Sequence, residues 1–246
     1  MHRFADHRLR TIKLKMIRDL LALITLKDNR LRFQYAVLFV LSLTLSVFKS
    51  ITVQAHPHVW ITMTEEILFS PDGKMTGIAN AWTFDEGYSA YAVQGIPTKP
   101  DGTIARETLD VLAKSNTEAL EEFGYFTAVR IDGKKIVLAA PKDYWLDYDG
   151  HVMTYHMSLP LKEPIKPGKI NMIEIYDPTY FVSFSFAESA TPAAMPTSPK
   201  GCSLTVARPK QDAQPTQSLN ETFFNSLSAG SDFGAQFSSR VVFACP

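Results

Sequence analysis

The chain has 246 residues, 46 % of them hydrophobic, with 25 basic and 25 acidic side chains in formal balance. That length and composition fit one sizeable globular domain or two small ones. The balance hides a polarity: residues 1–55 carry ten Lys/Arg against three Asp/Glu, the remainder fifteen against twenty-two, and so acidic a body argues against nucleic acid as a partner.

Residues 1–55 read as a leader. Arg30 and Arg32 precede an uncharged apolar run over 34–48, and Val53 and Ala55 supply the small residues that a signal peptidase accepts. The run is shorter than the ~20 residues that span a bilayer. Export to the periplasm with cleavage after Ala55 is the expectation, and an uncleaved anchor is the alternative.

The mature chain would open on His56-Pro57-His58. Val59, Ile61 and Met63 alternate with Trp60, Thr62 and Thr64, which predicts a strand. Ser70-Pro71-Asp72-Gly73 predicts a turn, and 75–84 a returning strand. The hairpin would bring Thr83-Phe84-Asp85-Glu86 beside the histidines. A helical insertion follows over about 87–124, clearest from Arg106 to Phe123, where Leu109, Leu112, Ala113, Leu120 and Phe123 share one side.

From Phe126 onward the signals are those of strands. Val129–Ile131 turns at Asp132-Gly133 into 136–138, and Tyr144–Tyr148 turns at Asp149-Gly150 into 152–159. Two further runs, 170–175 and 180–186, flank Asp177-Pro178. The expected fold is mainly β: an antiparallel β-sandwich or half-open barrel over 56–188, with the helical segment inserted. Residues 189–246 read as Pro/Ser-rich linkers (189–200, 208–219) with two short strands, Cys202–Val206 and Val241–Cys245, docked on the main domain. Cys202 and Cys245 are the only cysteines, and an even count behind an export signal favours a disulfide.

His56 and His58 are two apart, so in extended backbone both imidazoles leave the same face. Such a pair suits Zn, Ni, Co or Cu as a divalent ion. Pro57 has no amide hydrogen, so a terminal site built from deprotonated backbone nitrogens is blocked and binding falls to side chains. Asp85 and Glu86 are candidate further ligands through the hairpin. His151 and His156 are five apart and face opposite sides of a regular strand, which assigns them surface or hydrogen-bonding roles. No P-loop, Gly-x-Ser-x-Gly, His-Glu-x-x-His or dinucleotide fingerprint occurs.

Ala-His-Pro-His-Val-Trp at 55–60, Trp82-Thr83-Phe84-Asp85-Glu86, Tyr125-Phe126-Thr127 and Tyr176-Asp177-Pro178-Thr179-Tyr180-Phe181 together resemble the domain-of-unknown-function 1007 family. The resemblance covers about 55–206 and the final strand to Cys245. It implies a periplasmic component of an uncharacterised ABC-type or nickel/cobalt-type metal transport system, with a membrane permease as partner. The polar positions that match are His56, His58, Asp85, Glu86, Asp177 and Tyr180, the last two as possible ligands or structural residues. A calcium-like loop seen in relatives is replaced here by Thr98-Lys99-Pro100-Asp101-Gly102.

The expected function is therefore a non-enzymatic accessory or solute-binding protein that holds a divalent transition metal on His-Pro-His. Two alternatives stand beside it. One is a copper redox enzyme in which a terminal histidine joins a second, His151 or His156. The other is a ligand-free interaction module for a permease.

Overall fold

A computed structural model describes residues 37, 57–189, 191–208 and 221–246. His56 and the expected leader, residue 37 apart, lie outside these, as does most of the second linker. Period-two burial makes β1 (Val59–Phe69): Val59, Ile61, Met63, Ile67 and Phe69 point inward, while Trp60, Thr62 and Thr64 are exposed. β2 (Met75–Phe84) returns antiparallel beside it, with Ile61 opposite Phe84. β5 (Tyr144–Tyr148) and β6 (Met153–Ile165) extend this sheet on the β2 side.

The other edge of β1 departs from the all-antiparallel expectation. β8 (Val182–Phe186) and the two-residue β9 (Ala193–Ala194) both run parallel to it, so the order is β5-β6-β2-β1-β8, with β9 also on β1. β9 falls inside the 189–200 stretch read as a linker. A second sheet is wholly antiparallel, in the order β10-β11-β7-β3-β4. It comprises β3 (Thr127–Ile131), β4 (Lys134–Ile136), β7 (Asn171–Ile175), β10 (Ser203–Ala207) and β11 (Ser239–Ala244). The β3–β4 turn holds Asp132 and Gly133 at φ 46° and 79°, the left-handed pair that a two-residue hairpin requires.

The sheets face each other as a mainly β sandwich, not a closed barrel. Phe69 meets Phe243 edge-on at 6.0 Å, and Trp82 meets Phe126 at 6.4 Å and Phe184 at 5.0 Å. Two helices interrupt the β pattern, α1 (Glu86–Ala92) and α2 (Arg106–Glu121). α2 buries Leu109, Ala113 and Thr117, one turn apart, against the first sheet. Thr117 Oγ1 lies 2.6 Å from the Tyr155 hydroxyl, whose burial pushes its pKa up to about 12.

β11 sits between β10 and β7 inside the second sheet, so the C-terminal segment is part of the same compact unit as the described residues before it. The Cys202–Cys245 disulfide closes the end of the β10–β11 pair, as the cysteine count predicts. Beside the main core, Tyr180, Phe224 and Phe237 form a small second cluster built by α3 (Glu221–Phe224) and a 3-10 turn over Phe233–Phe237.

Candidate functional site

His58 marks the beginning of β1. Its backbone N–H donates to the Phe181 carbonyl at 2.9 Å, and its exposed ring tilts against Phe181 at 4.7 Å. Phe181 is 45 % exposed and also lines an apolar cavity of about 200 Å³, together with Trp82, Phe84, Tyr88, Leu120 and Phe123. The imidazole thus stands on a fixed strand end at the rim of an apolar recess.

The hairpin does bring Asp85 to the histidine strand. Trp60 and Asp85 are coupled twice: Asp85 N–H donates to the Trp60 carbonyl, and Trp60 N–H donates to Asp85 Oδ2, both at 2.9 Å. Asp85 Oδ1 accepts from Tyr88 N–H at 2.9 Å, which caps α1. Each carboxylate oxygen therefore already serves a backbone donor. Glu86, the next residue, is exposed in the first turn of α1.

Asp177 and Tyr180 lie deeper. Asp177 is 3 % exposed, and its Oδ1 accepts from Thr179 N–H at 2.7 Å and Thr179 Oγ1 at 2.8 Å. Its Oδ2 accepts from Val182 N–H at 2.9 Å. Three donors on a buried carboxylate fix the turn that launches β8. Tyr180 takes φ 59°, costly for a bulky residue, and is held there by stacking on Phe237 at 3.9 Å. Burial raises its pKa. Both residues shape the Phe181–β8 corner on which His58 rests. Among the described residues no group of three or more His, Cys, Asp or Glu is clustered closely enough to hold a metal ion.

The other histidines fall elsewhere. His151 is exposed in the Asp149–Val152 turn, where Asp149 Oδ1 accepts from the His151 and Val152 amides. His156 sits on the outer face of the first sheet, stacked on Trp145 at 4.5 Å and hydrogen-bonded to Asp147 at 3.2 Å. Strand alternation gives Trp145 and Asp147 one face of β5, and His156 and Ser158 one face of β6. That signal was present in the sequence, but it gains meaning only with the β5–β6 register.

A family model described as a protein of unknown function, DUF1007, matches residues 41–245. The chain belongs to this family. A relative, an uncharacterized protein of Haemophilus influenzae, is 24 % identical over 205 residues, covering 83 % of this chain and 98 % of the relative. The family match also takes in Asp177, Tyr180 and both cysteines. The disulfide fits an oxidising, extracytoplasmic compartment. No helix among the described residues is long and apolar enough to cross a membrane.

Proposed function

We propose that this DUF1007 protein is a non-enzymatic periplasmic accessory or solute-binding component of a divalent transition-metal transport system. The metal is held through His56 and His58 and delivered to or received from a membrane permease. The observation that carries the reading is the exposed His58 imidazole on a strand end fixed by Phe181, two residues before the Trp60–Asp85 coupling. A ligand needs such a rigid base, because a frayed terminus forfeits affinity to ordering entropy. Of the two candidate carboxylates Glu86 is the exposed one, whereas both oxygens of Asp85 are taken by the Trp60 and Tyr88 amides. Zn²⁺, Ni²⁺, Co²⁺ and Cu²⁺ all suit imidazole donors, and availability selects among them.

The test is the mass and N-terminal sequence of the exported protein, followed by titration with each ion. One ion per chain is expected, with loss of binding in the His56→Ala/His58→Ala double variant. Coordination requires neutral imidazole, so affinity should fall as pH drops through the ordinary histidine pKa near ~6.5. Stoichiometric binding that survives the double variant, or that is unchanged at pH 5, refutes the site.

A further inference from the structure

The outer face of the first sheet carries a groove of about 340 Å³ that the metal reading leaves unused. Its floor is Ala79 and Ala81 on β2. They lie between longer side chains on both neighbours: Glu66 and Ser158 flank Ala79, and Thr64 and His156 flank Ala81. Two alanines on a central strand, with larger residues to either side, are what open the channel.

One wall is the Trp145–His156 pair, whose rings are parallel to within 6°. Asp147 fixes both rings, since its Oδ2 accepts from Trp145 Nε1 at 3.0 Å and pairs with His156 Nε2 at 3.2 Å. Arg106, at the start of α2, holds Asp147 in turn at 3.3 Å. Burial lowers the His156 pKa against the opposing pull of Asp147, so the wall is an uncharged aromatic plate at neutral pH. The opposite wall contains Glu66, half-buried and, among the described residues, without a hydrogen-bond or ion-pair partner for its carboxylate.

A partly desolvated carboxylate left without a counter-ion attracts a cation, and a flat aromatic wall adds attraction to an ammonium group. The acidic excess of residues 56–246 raises the local concentration of cations further. The volume is that of an amino-acid-sized molecule rather than a bare ion. We propose that this groove binds a small organic ammonium cation, with Glu66 as its counter-ion and the Trp145–His156 pair as its flat wall.

The experiment titrates purified, metal-free protein with choline, with agmatine, and with 3,3-dimethylbutan-1-ol, the uncharged isostere of choline. Calorimetry and tryptophan fluorescence read the binding. Saturable 1:1 binding of at least one cation is expected, with the neutral isostere weaker by about tenfold or more. Glu66→Gln should weaken the cation by about tenfold, and Ala81→Leu, which fills the floor from the solvent side, should abolish binding. Glu118→Gln, exposed on α2, should leave it unchanged. The proposal is overturned if neither cation saturates, if the isostere binds as tightly, or if Ala81→Leu and Glu66→Gln both bind like the wild type.

Discussion

Glu65 continues the inward series of β1 after Val59, Ile61 and Met63, and it is only 3 % exposed. Asn80 lies directly across on β2, with its side-chain amide against the Glu65 carboxyl oxygens. Trp82 Nε1 makes no hydrogen bond of regular geometry, although its pull on Glu65 opposes the burial effect. Burial dominates and raises the Glu65 pKa well above its ordinary value, so the folded state favours the protonated form more than the unfolded chain does. The unfolded chain ionises near ~4.3. The stability Glu65 contributes is therefore full below that pH and is lost as pH rises toward the folded value. Glu65→Gln keeps the shape and removes the ionisation. Urea denaturation at pH 5 and pH 8 should show the variant gaining on the wild type as pH rises, and parallel pH dependences would disprove the upward shift of Glu65. Extending the visible alternation of Val59–Thr64 by one step places Glu65 inside. Hydropathy alone places a carboxylate outside, which is why this group was not legible in the sequence.

At the level of elements, the hairpin signals at Ser70–Gly73, Asp132-Gly133 and Asp149-Gly150 read correctly, because turn chemistry is local and antiparallel neighbours meet at turns. The β1–β8 pairing has no such signal: two parallel strands share no turn, and nothing near Val59 or Val182 announces the other. The same limit hid β9 and the Tyr180–Phe224–Phe237 cluster. Asp85 shows where the reading of the candidate site stopped. Its arrival beside the histidine strand was legible from the hairpin, but the occupation of both its oxygens by the Trp60 and Tyr88 amides was not. Asparagine caps helices about as well as aspartate, and alanine does not. Asp85→Ala should lose about 1 kcal/mol or more in chemical denaturation, whereas Asp85→Asn, which keeps the cap to Tyr88 but turns its NH2 onto the Trp60 amide, should lose less than the alanine variant without matching the wild type. A loss in Asp85→Asn as large as in Asp85→Ala would show that the acceptor facing Trp60, not the cap, is what the corner requires.

At the scale of the molecule, the family and the sandwich were both legible, because the identifying phrases fall at β1, the β2–α1 junction, the start of β3 and the loop before β8. The Cys202–Cys245 bridge closes a span of 43 residues and ties β10 to a strand inside the second sheet. On the chain-entropy account a loop of that length stabilises the fold by about 4 kcal/mol. Thermal unfolding with and without a reductant should show a clear drop in Tm on reduction. An unchanged Tm, with thiol titration confirming that the bridge is open, would mean that the sheet pairing alone holds the C-terminus.

The position of β1 has a consequence for the order in which the molecule assembles. Its partner on one side, β2, follows within a short hairpin, but on the other side Ser185 reaches Ile61 across 124 residues of chain. A chain made from its N-terminus completes the β1–β2 ribbon early and then carries an open strand edge, with Trp60 beside it, until β8 emerges. Closing that edge is a long-range event, slow relative to the hairpins, and until then the first strand is the place where a second chain could add itself in register.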